Sequence, residues 1–418
     1  YAVNGSGKVP SSIKWEGKDS SQKYVADGRY TASLLIDSTN GSQAKVEVPG
    51  IVIDTKAPAV DVSTDYTLFS PDGDGIKDVL VVNTKDCSSE DLWHVTVVDK
   101  NGKTVYQQDY NKFIGTSANS SFNWDGHDNT GNKVQDGTYR VMVSAEDAAG
   151  NKFVKTIENV VVDTRACKAF VTAKYEGISP ESTTGLQAQV FNLKLSVNDG
   201  IKNWTFDVID DWGKTVWVTS KTDTSKSVPK EIVWNGSDSL TGKNNLDGYF
   251  FGRLTVEYEK GNKVTEISAP FICSSKVPEL SVKTTPKFFS PDNDGIDDDL
   301  YIKLGAKCAG KIVSWSFVIY NPEESGKKGK PCWTTNGTSK ITEQLTWNGL
   351  SNVSKEKNGR AERVQSAMDY PWEFTVTDSL GLTSKSRGKI SIDILVTRDG
   401  NVLKMAVPAI IFRSNAAD

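Results

Sequence analysis

Three aspartates crowd into one short segment, Phe69-Ser70-Pro71-Asp72-Gly73-Asp74-Gly75-Ile76-Lys77-Asp78. Carboxylates held so close repel one another unless a cation or strong hydrogen-bond donors neutralise them. Gly73 and Gly75 let the backbone curl around Asp72, Asp74 and Asp78. A second segment repeats the pattern with Asp292, Asn293, Asp294, Gly295, Asp297, Asp298 and Asp299. Ca²⁺ takes about six to eight oxygens at ~2.3–2.6 Å, which carboxylates and turn carbonyls can supply. Asp72, Asp74 and Asp78, with Asp292, Asp294 and Asp298, are therefore candidate calcium ligands. The first and twelfth ligands of an EF-hand loop are missing. The competing reading is an Asx-rich turn whose aspartates accept backbone N–H bonds. A related third place carries Ser179-Pro180-Glu181-Ser182 and is expected to bind no ion.

Catalytic groups are scarce. The histidines are His94 and His127. His127 lies in Trp124-Asp125-Gly126-His127-Asp128, and no nucleophile-elbow or oxyanion sequence accompanies it. It reads as an exposed loop residue. Paired carboxylates abound, but in solvated loops rather than an apolar cleft, which argues against glycoside hydrolysis. The sequence therefore reads as non-enzymatic. None of the five cysteines sits in a CxxC pair, which removes zinc and thioredoxin-type chemistry. Cys308 and Cys332 could meet within one repeat, and the odd count leaves at least one thiol free or paired between chains.

These residues sit in a repeat of about 110 residues. Trp15-Glu16-Gly17-Lys18-Asp19 matches Trp124-Asp125-Gly126-His127-Asp128 at an offset of 109, and Asp27-Gly28-Arg29-Tyr30 matches Asp136-Gly137-Thr138-Tyr139 at the same offset. A third copy gives Trp234-Asn235-Gly236-Ser237-Asp238 and Asp247-Gly248-Tyr249-Phe250, and a more divergent fourth has Trp347-Asn348-Gly349. Each Trp-Asp/Asn-Gly turn could present an aromatic to a sugar. A tryptophan that ends one strand in every copy is better read as a core plug.

Inside a unit, Tyr139, Val141, Val143 and Ala145 alternate with polar residues, as do Trp93, Val95 and Val97. Asn101-Gly102 then offers a tight hairpin turn. About seven short strands fall between 58 and 163, the profile of a two-sheet sandwich. The expected fold is all-β, with tandem immunoglobulin-like β-sandwiches in an elongated array. Residues 1–57 form a partial module, 58–165, 166–276 and 277–395 form three modules, and 396–418 form a hairpin or linker toward a further domain.

Composition agrees with a globular chain. Hydrophobic residues make up 37% and charged residues 24% of 418 positions, a balance that reads as globular rather than disordered. Net charge is −4 with no basic stripe, which disfavours nucleic acid as a partner. No apolar run approaches the ~20 residues of a membrane-spanning helix.

Phe69–Asp78, taken with Trp124-Asp125-Gly126, Asp136-Gly137-Thr138-Tyr139 and Asp147-Ala148-Ala149-Gly150-Asn151, resembles the FlgD-type immunoglobulin-like domain. Related modules occur in bacterial surface proteins, usually as spacers or binding platforms. The tail, from Ile392-Asp393-Ile394-Leu395 to Ile411-Phe412-Arg413-Ser414, resembles the lead-in to an OmpA-like peptidoglycan-binding domain of spirochaete envelope proteins. These resemblances imply a scaffold of the periplasm or outer-membrane-associated envelope. It would hold peptidoglycan through a domain absent from this chain and contact other envelope proteins. The alternatives are a surface adhesin or host-ligand binder, and an accessory region of a surface enzyme.

Overall fold

The computed structural model describes residues 1–88, 92–111, 120–219, 227–322 and 329–405. Among them every helix or strand is a strand, and no helix is long and apolar enough to cross a membrane. The chain divides into two compact units, Tyr1–Cys167 with Glu257–Lys263, and Lys168–Val256 with Val264–Asp418.

The first unit opens with a two-stranded antiparallel ribbon, β1 (Gly28–Asp37) and β2 (Gln43–Ile53). Leu35, Val46 and Val48 stay exposed on it. A complete sandwich follows from β3 (Asp61–Ser63), β4 (Leu68–Phe69), β5 (Leu80–Lys85), β6 (Leu92–Asp99), β7 (Thr104–Asn111), β8 (Ser120–Trp124), β9 (Gly137–Glu146) and β10 (Lys152–Val162). One sheet has the order β3-β5-β8 and the other β4-β10-β9-β6-β7. The period-two pattern drives this pairing of sheets. Tyr139, Val141, Val143 and Ala145 are buried on β9, and they meet Val82, Phe122 and Trp124 from the facing sheet in one core. Each Val or Phe side chain among them contributes about 1.5–3 kcal/mol on burial.

The leading strand is split, which the strand count from sequence did not resolve. β3 pairs antiparallel with β5, while β4 pairs parallel with β10. The chain thus crosses from one sheet to the other at Thr64–Thr67, where the Tyr66 hydroxyl donates to the Val79 carbonyl at 2.6 Å. This is the strand arrangement of an immunoglobulin-like sandwich.

In the second unit, apart from the Glu257–Lys263 segment that groups with the first, β11 (Ala169–Ala173), β12 (Gly177–Ile178), β13 (Gln189–Leu195), β14 (Ile201–Asp210), β15 (Thr215–Val218), β16 (Glu231–Trp234), β17 (Gly248–Tyr258), β18 (Lys263–Ile267) and β19 (Phe271–Cys273) repeat the plan. Their sheets run β11-β13-β16 and β12-β19-β17-β14-β15, with β18 beside β17. Phe191, Phe206, Trp234 and Phe271 pack edge-on or tilted against one another through their core. The last sandwich spans β20 (Glu279–Thr285) to β29 (Thr383–Ile392), and its core holds Phe289, Trp315, Phe317, Trp347 and Phe374. A hairpin of β30 (Val396–Asp399) and β31 (Val402–Met405) closes the described chain and exposes Val402, Leu403 and Met405. The rest of the 396–418 segment, from residue 406 on, lies outside the described residues.

The pairing of Cys308 with Cys332 does not occur, since no disulfide forms among the described residues. Cys332 is buried in the last core and Cys308 packs against it, so both act as small apolar side chains.

Candidate functional site

The acidic loop of the first unit lies between β4 and β5. Oxygens of Asp72, Asp74 and Asp78 come within 4.8 Å of one another. That spacing suits a cation whose ligands stand about 2.3–2.6 Å from it. The same oxygens also organise the turn. Gly73 N and Gly75 N each donate to the Asp78 carboxylate at 2.7 Å, and these two bonds hold its carboxyl below the usual carboxylate range. Ile76 N donates to Asp74 Oδ1 at 2.8 Å, and Ser70 Oγ to Asp72 Oδ2 at 3.1 Å. Gly73 and Gly75 have φ of 88° and 86°, a region where side chains with a Cβ are strained.

Asn262, which the sequence reading did not single out, completes this loop. It sits in the Glu257–Lys263 turn that clusters with the first unit. Its Nδ2 donates to Asp72 Oδ2 at 2.8 Å and to Asp74 Oδ2 at 2.9 Å. Its Oδ1 is a buried acceptor with no donor. Both amide hydrogens thus meet carboxylates, which offsets part of the repulsion between Asp72 and Asp74. Beside the loop, Lys260 Nζ donates to Asp163 Oδ1 at 3.2 Å. Burial raises the Asp163 carboxyl, but bonds from Arg165 and Lys260 outweigh it and hold the group at about 2.

The second acidic loop repeats the geometry within the other unit. Asp292, Asp294 and Asp298 again cluster within 4.8 Å. Gly295 N donates to Asp298 at 2.8 Å and Ile296 N to Asp294 at 2.8 Å. Here the backbone N–H of Val396 takes the place of Asn262 and donates to Asp292 Oδ2 at 3.0 Å. In the third copy the buried Ser182 organises the turn, accepting Gly185 N at 2.7 Å.

The other candidates have structural roles. Trp124, Trp234 and Trp347 are each 1% exposed, so these turns present no aromatic face to a ligand. In every copy the indole donates to the carbonyl three residues on, at 2.7 Å for Trp15 and 2.9 Å for Trp124, Trp234 and Trp347. The Tyr139 hydroxyl donates back to Gln135 O at 2.6 Å, as Tyr30 does to Ala26 O. This is the tyrosine corner of immunoglobulin-like sandwiches. Asp136 accepts Thr164 N and Oγ1 at 2.9 and 2.7 Å, fastening the end of the module. The two histidines pair on the surface, His94 with Asp109 and His127 with Asp125. Neither bonds a serine, threonine or cysteine side chain among the described residues.

Among curated proteins no sequence match was found. Solved structures give low-identity matches. A tetra-tandem repeat from the extending region of a large adhesion protein is 17% identical with a TM-score of 0.31, covering 88% of this chain and 82% of that one. A 1.5-MDa bacterial ice-binding adhesin is 14% identical with a TM-score of 0.31, covering 81% and 99%. The fibronectin(III)-like modules of Clostridium thermocellum CbhA are 12% identical with a TM-score of 0.24, covering 54% and 93%. Where the motifs alone resembled the FlgD type, residues 63–157 match the CHU_C type IX secretion signal domain.

Proposed function

We propose that this chain is a non-enzymatic structural part of a bacterial cell envelope, its sandwiches serving as a spacer displayed at the cell surface. One observation carries the reading. The polar residues that recur from copy to copy are spent on holding turns and closing modules, as Trp124, Asp136 and Tyr139 do. The match of residues 63–157 to a type IX secretion signal domain supports display outside the cell over a periplasmic location. The resemblance of the tail to an OmpA-like lead-in supports attachment to peptidoglycan through a domain beyond this sequence, leaving the modules to reach other envelope proteins.

In this reading Ca²⁺ stiffens the acidic loops, with Asp72, Asp74, Asp78 and the Asn262 amide as one ligand set and Asp292, Asp294 and Asp298 as the other. An adhesin is the second reading, favoured by the exposed aromatics Trp212 and Tyr249 on the sandwich of β11–β19. Two measurements on cells of the source organism test the proposal. Protease added to intact cells should cleave the protein, and the full-length protein should sediment with purified sacculi. Protection in intact cells overturns surface display. Failure to sediment overturns the wall-anchored form and moves the adhesin ahead.

A further inference from the structure

The sandwich of β11–β19 carries a large aromatic side chain that its fold does not require. Trp212 is 89% exposed, on the turn between β14 and β15. The turn itself is the same as its counterpart between β6 and β7. Asp210 Oδ1 accepts the N–H groups of Trp212 and Lys214 at 3.0 and 2.8 Å. Asp99 Oδ1 likewise accepts Asn101 and Lys103 at 2.8 and 2.9 Å. Gly213 and Gly102 have φ of 79° and 82°. Asparagine therefore satisfies the same turn in the neighbouring copy, and the indole at 212 contributes nothing to its geometry.

A second departure lies beside the first. Tyr249, at the start of β17, is 53% exposed where the preceding copy has Thr138. The two positions share one register, Tyr249 opposite Ile272 and Thr138 opposite Val161. Trp212 and Tyr249 line one open groove of about 410 Å³. Water-exposed tryptophan and tyrosine on one concave surface mark a recognition site, because they offer wide apolar faces at low conformational cost.

We propose that this groove binds a neutral glycan. The polar groups around the aromatics select the class. Asp210, Asp211, Asp238 and Asp247 line it against Lys214 and Lys243, so carboxylates outnumber ammonium groups four to two. That balance repels acidic sugars and phosphates. It also places acceptors and donors in the same groove as the exposed aromatics. A pyranose has the matching surface, with C–H bonds to lie on the indole and hydroxyls to meet carboxylate and ammonium groups. A purely apolar partner would leave those charges desolvated and unpaired. The site goes beyond the spacer reading, since a spacer needs no ligand, and either can fail without the other.

The test is a glycan array probed with the whole 418-residue chain, followed by titration of the best neutral disaccharide. Binding should appear on neutral glycans, shift the Trp212 indole N–H signal in NMR, and weaken at least tenfold in Trp212→Ala and in Tyr249→Thr. Both variants should keep the parent melting temperature, because neither side chain is part of the core. A silent array, binding confined to acidic glycans, or full binding by Trp212→Ala overturns the proposal. So does a result in which Trp212→Ala abolishes binding to a protein while the array stays silent.

Discussion

The indole Nε1 of Trp124 donates to the carbonyl of His127 across 2.9 Å while its ring packs edge-on against Tyr139 at 5.4 Å. One side chain therefore ties the end of β8 to the following turn and plugs the core at the same point. Trp124→Ala should destabilise its sandwich by about 3–5 kcal/mol, as removal of a buried tryptophan does. Trp124→Phe should cost less, with the loss of one hydrogen bond and part of the ring. Denaturant unfolding followed by hydrogen exchange should confine the early loss to residues 60–162.

Calcium should raise thermal stability and EDTA should reverse the gain. At a hundred-fold excess over Kd the native state gains about 2.7 kcal/mol. Asp74→Ala combined with Asp294→Ala should abolish the shift. Asn262→Ala should weaken the response of the first loop and leave that of the second. Differential scanning calorimetry with and without millimolar Ca²⁺ reads all four cases. An unchanged melting temperature would favour plain Asx turns at both loops.

Asp163 gives a pH dependence of definite sign. Its folded pKa of about 2 lies below the ordinary 3.8, so the unfolded chain binds its proton more readily. Its contribution is complete above the unfolded value and is lost as pH falls through about 2. Lys260→Met removes one of the groups that hold the carboxyl down. The acid-induced loss should then be smaller and complete at higher pH, visible in urea midpoints measured between neutral and acid conditions.

The thiols should divide by burial. Desolvation pushes Cys273 up to about 12 and Cys332 up to about 11. Neither carries appreciable thiolate at neutral pH, and thiolate is the reactive form. A disulfide reagent such as DTNB should leave both unreacted in the folded chain and titrate all five thiols in guanidinium.

The alternation on β9 and β6 was legible because period two maps directly onto one buried face, and Trp124 was legible because it recurs. The split between β3 and β4 was not, since a strand that changes sheets leaves no break in its hydrophobic pattern. Asn262 was invisible because its partners, Asp72 and Asp74, lie 190 and 188 residues away. Trp212 was hidden for the opposite reason. Turns carry no periodicity, so an exposed tryptophan there looks like any other member of an aromatic-rich sequence. The Cys308–Cys332 pairing failed because shared membership of one core is not bonding geometry.

The parallel pairing of β4 with β10 sets how the sandwich answers a pull along the chain. Leu68 and Phe69 enter near one end of the module and lie beside Val161 and Val162 at the other. Tension applied through the two ends would slide these strands past one another, loading their bonds in shear and together rather than unzipping them singly. The same clasp recurs where Gly177–Ile178 meet Ile272–Cys273 and where Phe288–Phe289 meet Ser391–Ile392. Each module thus has its own mechanical latch in series with the others, and a chain stretched in a force spectrometer should yield one latch at a time.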